Sequence, residues 1–277
     1  MNLKETILNA QKNKRALWHF NVGSYEQWLG IKKAVEQTKD PLIVATSEGE
    51  SSYISSKVLR ALVNDAQSQG LPIFLGADHR KSKEAVEEAL TGNVDVIVLD
   101  ASKYGYDDNV QYVKKMSELC KQKNPQILTE GEIGFIGASS EIHEALDENL
   151  IKNLPGAELI NKFIVATGID LVAPALGTVH GIVAGGNPMI DIKHMKTICE
   201  QVNAPVVLHG GSGLSMETLK EVRHSGVSVI HINTDIRITV KEALKKSVSE
   251  IEDLAPYKYL QSVVDAVATK VQEFQAL

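Results

Sequence analysis

Phe74-Leu75-Gly76-Ala77-Asp78-His79 is an apolar run that closes on an acid and an imidazole side by side. It reads as a buried strand that delivers both side chains to its exit. Neighbouring residues on a strand face opposite sides, so the two share a pocket only where the strand ends and the chain turns. Three later stretches close alike. Ile127-Leu128 leads into Thr129-Glu130-Gly131-Glu132. Leu171-Val172-Ala173 leads into Leu176-Gly177-Thr178-Val179-His180-Gly181. Pro205-Val206-Val207 leads into Leu208-His209-Gly210-Gly211-Ser212-Gly213. Three histidines from three strand ends, with carboxylates beside them, point to a catalytic divalent metal.

Outward from that stretch the chain alternates. Strands are expected at 16–22, 41–46, 72–77, 94–99, 126–131, 169–176, 205–209 and 227–233. Helices are expected at 2–13, 24–39, 55–69, 82–91, 107–123, 158–166, 191–202 and 215–225, then from a Thr234 or Asp235 cap to 249, and last at 255–275. The strands are apolar without clean alternation, as burial on both faces requires. Strict β/α alternation argues a parallel sheet. Eight units in about 250 residues argue a closed (β/α)8 TIM barrel with extra N- and C-terminal helices. No G-x-G-x-x-G follows the first strand, which argues against a dinucleotide fold. No linker composition or repeat appears, so one domain is expected over 1–277. Residues 134–157 are rich in Gly, Ser and Asn and read as a lid loop with a short helical piece.

The bulk properties exclude several functions. The chain has 277 residues, is 43% apolar and carries a formal charge of -6. No basic run suits nucleic acid. No apolar run approaches the ~20 residues of a membrane span, and the N-terminus has no signal-peptide core. Cys120 and Cys199 read as reduced thiols, so a cytoplasmic protein is expected.

Asn21, Ser47, Asp78, His79, Asp100, Glu130, Glu132, His180, His209, His231 and Asn233 all fall at or just after the C-terminal ends of expected strands. In a barrel that face carries the site. His19, His143, His194 and His224 read instead as packed or surface residues. Arg80 and Lys81 read as a solvated helix start.

These stretches resemble the class II, metal-dependent ketose-bisphosphate aldolases. The matching pieces are Phe20-Asn21-Val22, Ala77-Asp78-His79, Leu99-Asp100-Ala101-Ser102, Glu130-Gly131-Glu132-Ile133-Gly134, Gly177-Thr178-Val179-His180-Gly181, Leu208-His209-Gly210-Gly211-Ser212-Gly213 and Thr234-Asp235, in family order. The resemblance implies Zn²⁺ held by His79, His180 and His209, with Asp100 and Glu132 at a second or resting metal position. It implies Asp78 as the acid/base at the C4 hydroxyl. It places the phosphate of dihydroxyacetone phosphate on Gly181, Gly210, Gly211, Ser212, Gly213 and the turn at Asn233 and Thr234. It sets Asn21 at the substrate, and Ser47 near that phosphate and a monovalent cation. It also implies a homodimer or homotetramer.

Three positions depart from the family pattern. The family's mobile-loop glutamate aligns with Ser140, so Glu141 is expected to take over proton transfer. Its phosphate lysine aligns with Ala184, for which Arg237 is the expected substitute. Its strand-eight asparagine aligns with His231. The expected reaction is reversible cleavage of fructose 1,6-bisphosphate to dihydroxyacetone phosphate and glyceraldehyde 3-phosphate. The alternatives are an aldolase or isomerase for a related sugar phosphate such as tagatose 1,6-bisphosphate, and a non-catalytic barrel binding metal or sugar phosphate. A Schiff-base route needs a lysine at a strand end, and no expected strand ends in one.

Overall fold

The computed structural model describes residues 2–277 except 135, 138–140, 145–153, 185 and 189. In chain order its elements are α1 (Leu3–Lys12), β1 (Leu17–Asn21), α2 (Tyr25–Thr38), β2 (Leu42–Thr46), α3 (Glu48–Tyr53), α4 (Ser56–Ser68), β3 (Ile73–Arg80), α5 (Lys83–Thr91), β4 (Val96–Leu99), α6 (Tyr106–Lys123), β5 (Leu128–Ile133), β6 (Ile142–His143), α7 (Ala157–Thr167), β7 (Leu171–Pro174), β8 (Ile182–Val183), α8 (Ile192–Gln201), β9 (Val207–Leu208), α9 (Met216–Arg223), β10 (Val229–Ile232), α10 (Thr234–Glu250), α11 (Pro256–Tyr259) and α12 (Gln261–Gln275). Eight strands pair in parallel in the order β7-β5-β4-β3-β2-β1-β10-β9. The edges β7 and β9 meet at a parallel bridge between Val172 and Val206, where the Val172 N–H donates to the Pro205 carbonyl at 3.1 Å. The result is the expected barrel of eight parallel strands, nearly closed.

One apolar residue from each strand fills the lower barrel. Leu17, Ile43, Phe74, Val96, Leu128, Leu171, Val207 and Val229 form a buried cluster, and Leu3 and Ile7 of α1 plug it from below. Each such side chain stabilises by roughly 1.5–3 kcal/mol on burial. Strand side chains alternate, so the interior face recurs two and four residues further on. Two residues on lie His19, Gly76, Glu130, His209 and His231. Four residues on lie Asn21, Ser47, Asp78, Asp100, Glu132 and Asn233. The polar residues are therefore layered inside the barrel, not only ranged on its rim, and His209 is fully buried. Gly76 makes this packing possible, because a Cβ there would meet Ala45 Cβ at 3.1 Å and His19 Nε2 at 3.3 Å.

A second, larger apolar cluster lies between the strands and the helical layer. Its C-terminal part is α12, which buries Val263, Val264, Val267, Val271 and Phe274. A Cβ on Gly30 of α2 would sit 2.6 Å from Val267 Cβ, so glycine sets how closely the two helices cross.

Several expectations need correction. The strand expected at 72–77 does not stop before Asp78 and His79; β3 runs on to Arg80. Arg80 is not a solvated helix start. It is fully buried, donates to Ser51 Oγ and Thr46 Oγ1, and pairs with Glu88 at 3.4 Å. The helix expected at 255–275 divides at Leu260, because the Tyr259 carbonyl accepts the hydroxyls of Ser247 and Ser262. Neither Thr234 nor Asp235 caps α10; the cap position is Asn233, without a side-chain cap bond. Helix α3 and the β6–β8 pair were not foreseen. Of the expected lid, residues 138–140 and 145–153 lie outside the described residues, and Ser140 with them.

Candidate active site

Asp78 and His79 face one pocket because β3 carries a bulge. Its register with β4 runs Gly76–Val96, Ala77–Ile97 and then Arg80–Leu99, so one extra residue is inserted. His79 absorbs the irregularity at φ +47°. That left-handed conformation costs a non-glycine residue on the order of 1–2 kcal/mol.

Three imidazoles then converge, each held from outside by one nitrogen. His79 Nδ1 donates to Asp100 Oδ2 at 3.0 Å, and His180 Nδ1 to the Gly137 carbonyl at 2.8 Å. His209 Nε2 donates to Glu130 Oε1 at 2.7 Å. Each ring keeps its second nitrogen for the centre. One ligand atom from each of His79, Glu132, His180 and His209 lies within 4.8 Å of the others. Glu132 is 1% exposed, yet neither carboxylate oxygen has a hydrogen-bond partner. A buried carboxylate without hydrogen bonds, 3.2 Å from His209 Nδ1 among three oriented imidazoles, is a donor set that wants a cation. The residues present fit a Zn²⁺ ion. Asp100 falls outside this ligand group, engaged with His79 and with Ser102.

The protonation pattern of the metal-free site marks the same centre. Burial pulls the His79 imidazole down, but the charge of Asp78 and the hydrogen bond to Asp100 outweigh it and hold the ring up at about 9. Burial likewise opposes charge on His209, and Glu130 and Glu132 together hold it well above the usual range. His180, lowered by burial and by the charge on His79, stays at about 4.

Asp78 stands beside this centre. Burial works against its charge, but His79 and His231 hold its carboxyl well below the usual range. Asn21 Nδ2 donates to its Oδ2 at 3.0 Å, while its buried Oδ1 has no hydrogen-bond partner. His231 Nδ1 lies 3.5 Å from that oxygen.

Behind the site, His19, His231 and His209 form a stack. The first two rings are 3.6 Å apart and 4° from parallel, the second two 4.2 Å and 24°. His19 is indeed a packed residue, but its partners are imidazoles and both its nitrogens lack hydrogen bonds. Burial lowers it to about 4. The unfolded chain, with an ordinary imidazole, takes a proton first as pH falls. The contribution of His19 is therefore complete above about pH 6.5 and is lost on the way down to pH 4, at roughly 1.4 kcal/mol per pH unit. Urea unfolding at pH 7 and pH 5 should show a loss in which the share of His19 is about 2 kcal/mol. The His19→Leu variant should show a correspondingly smaller loss. An equal loss in both proteins would mean that His19 is not the group that titrates.

A small cavity beside Asp78 is lined by Asn21, His79, His180, Gly181, Gly210, Ser212, His231, Asn233 and Thr234. Gly181, Gly210 and Gly213 take φ of +89°, +67° and +79°. At Gly210 a Cβ would sit 2.4 Å from the Val179 carbonyl oxygen, so no larger residue fits. Ser212 Oγ accepts the N–H groups of Asn233 and Asp235, tying this turn to the start of α10. A turn of this kind at a helix start suits an anion.

A larger outer cavity of about 260 Å³ opens from Asp78, His79 and His180 to Ser47, Glu48, Gly49, Lys81, Asp100, Gly137, Glu141, Asn233 and Arg237. Arg237 lines this cavity and not the glycine turn. Glu141 is placed here, its carbonyl accepting the Ile182 N–H at 2.9 Å. His143 Nε2 meets the His180 carbonyl at 2.9 Å, so β6 and β8 hold the two loops together. Glu130, whose place in the sequence suits a buried partner of a ligand, holds His209 in that way. Reading from strand ends missed the His19 stack and Glu50, which binds Asn21, Ser47 and Arg237. Counting two residues on from the lower apolar ring would have found the first.

Comparison with known proteins gives a consistent picture. The family model described as "Fructose-bisphosphate aldolase class-II" matches residues 1–277. A "Fructose-bisphosphate aldolase" of Staphylococcus aureus is 29% identical over 286 residues, covering 99% of this chain and 96% of that protein. A "Probable fructose-bisphosphate aldolase" of Bacillus subtilis is 28% identical over 283 residues, covering 99% and 97%. Among solved structures, the YdjI aldolase of Escherichia coli K12 superposes with a TM-score of 0.83 at 24% identity, covering 98% of this chain and 94% of that one. The fructose-bisphosphate aldolase of Campylobacter jejuni does so with a TM-score of 0.80 at 17% identity, covering 99% and 94%.

Proposed function

The chain belongs to the class II fructose-bisphosphate aldolase family, and from that premise we propose that it reversibly cleaves a ketose phosphate to dihydroxyacetone phosphate and an aldehyde. The observation that carries the proposal is the buried Glu132 carboxylate, without a hydrogen bond to either oxygen, set among three imidazoles and next to an acid whose Oδ1 also has none. The family's name makes fructose 1,6-bisphosphate the reference substrate, with glyceraldehyde 3-phosphate as the aldehyde, and tagatose 1,6-bisphosphate as its epimeric alternative. A non-catalytic barrel accounts less well for Asp78, since binding alone has no use for an acid beside the ligands. A homodimer or homotetramer is part of the same proposal.

His79, His180 and His209, with Glu132, would hold Zn²⁺, which as a Lewis acid stabilises enediolate charge on the ketone half. Gly181, Gly210, Gly211, Ser212 and Gly213, with the α10 start at Asn233 and Thr234, form the seat of the C1 phosphate. Asp78 accepts the C4 hydroxyl proton on its free Oδ1 while Asn21 fixes the other oxygen. Return of that proton in the condensation direction completes the cycle. His231 sets the orientation of Asp78 from the opposite side. Glu141, on the outer-cavity wall, exchanges the proton at the carbon that becomes the enediolate.

Solvent deuterium exchange into dihydroxyacetone phosphate isolates this half of the reaction. The zinc-loaded parent should exchange, and Glu141→Ala should do so roughly 10²–10⁴-fold more slowly. No exchange in the parent would reject the aldolase reading. Unchanged exchange in Glu141→Ala would move the role to Glu130, His143 or metal-bound water.

A further inference from the structure

Four donors from Asn21, Ser47 and Arg237, the last two residues lining the outer cavity, are taken by a carboxylate of the chain itself. Glu50 Oε1 holds Arg237 Nη2 at 2.6 Å. Glu50 Oε2 accepts Asn21 Nδ2 at 2.9 Å, the Ser47 N–H at 2.8 Å and Ser47 Oγ at 2.9 Å. Its side chain is 10% exposed. Four donors around one carboxylate, one of them a guanidinium, make the kind of nest that holds a phosphate.

We propose that Glu50 is a built-in anion that sets specificity, so that the substrate is a ketose 1-phosphate with an uncharged polyhydroxy tail and not a bisphosphate. The proposal rests on the aldolase reading and concerns the aldehyde end of that same site. The glycine turn accommodates one phosphate, at C1. The tail enters the outer cavity, whose described lining carries the carboxylates Glu48, Asp78, Asp100 and Glu141 against the cations Lys81 and Arg237. Both cations already face carboxylates. Arg237 is on Glu50, and Lys81 Nζ is 3.7 Å from Asp100 Oδ2. Glu48 is fixed at the same wall, accepting the Lys81 backbone N–H at 2.7 Å. A phosphate dianion there would have to displace Glu50 from its four donors or sit beside like charge, which costs affinity steeply. Sugar hydroxyls meet the opposite situation. They donate to carboxylate oxygens and accept from Lys81, and they bring no charge.

The test is the condensation of dihydroxyacetone phosphate with a panel of aldehydes by the zinc-loaded protein. D-glyceraldehyde and uncharged aldoses of four to six carbons are compared with D-glyceraldehyde 3-phosphate. Uncharged aldehydes should be preferred in kcat/KM by roughly 10- to 100-fold. Glu50→Gln, which keeps the shape but releases the charge of Arg237, should move the ratio toward the phosphorylated aldehyde by about tenfold. Glu50→Asp keeps the charge and should keep the preference. A parent that prefers glyceraldehyde 3-phosphate would overturn the proposal. So would an unmoved ratio in Glu50→Gln, or deuterium exchange without condensation with any uncharged aldehyde. Absence of exchange in the parent would instead reject the aldolase reading itself.

Discussion

Replacing Asp78 by alanine should leave the barrel folded and the metal bound while turnover falls roughly 10²–10⁴-fold, the usual share of a positioned general acid/base. The argument is one of placement. Asp78 lies outside the His79, Glu132, His180 and His209 ligand group, so its loss takes no donor from the ion. Its Oδ2 is engaged by Asn21, its buried Oδ1 has no hydrogen bond, and the residue lines both cavities. Removing it strips the carbon–carbon step of its proton acceptor but leaves the exchange at the dihydroxyacetone phosphate carbon to other groups. Cleavage and deuterium exchange should therefore separate, the first lost and the second retained. Asp78→Asn, which keeps the Asn21 contact, should be nearly as slow as Asp78→Ala in cleavage. Loss of metal in either variant would make Asp78 a ligand. Unchanged turnover would remove it from the mechanism.

His209→Ala should remove the metal and, with it, activity. His209 is fully buried and bridges two carboxylates, with Nε2 on Glu130 at 2.7 Å and Nδ1 3.2 Å from Glu132. Its removal leaves both acids buried without their shared partner, a change that costs about 3–5 kcal/mol where a buried pair is broken. His180→Ala is the milder companion, because its outer contact is only the Gly137 carbonyl. Metal analysis after dialysis against a weak chelator should find both variants depleted to under about a tenth of the parent, a loss of a decade or more in affinity. Full metal content in both would sink the ligand assignment. Circular dichroism of His180→Ala separates loss of the ion from loss of the fold.

Most of the barrel could be read from local chemistry. Apolar runs located all eight strands, because a parallel strand buried on both faces leaves a continuous hydrophobic signature. The ends of elements were less legible. β3 continues past His79 because a bulge, invisible in composition, turns two adjacent side chains the same way. Arg80 looked like a surface residue because arginine usually is one, and only the fold shows Thr46, Ser51 and Glu88 around it. Glu50 was missed for a related reason. It sits in a polar stretch that forms the six-residue α3, and its partners come from residues 21, 47 and 237. The contact with Ser47 is a capping box with the local S-x-x-E pattern, but those with Asn21 and Arg237 span 29 and 187 residues and leave none.

The meeting of β7 and β9 has a consequence for how the molecule breathes. Elsewhere each pair of neighbouring strands shares at least two register pairs, but here the bridge of Val172 and Val206 joins the edges. A wall fastened so lightly along one seam is where sub-global opening has the least to break. His180 follows β7 and His209 follows β9, so the two reach the centre from either side of that seam. An ion gripping both would act as a clasp, and occupancy would be felt as closure of the whole cylinder as well as readiness for chemistry. The tighter the clasp, the fewer excursions the wall makes, since a ligand bound only to the closed form deepens its well in proportion to the logarithm of saturation.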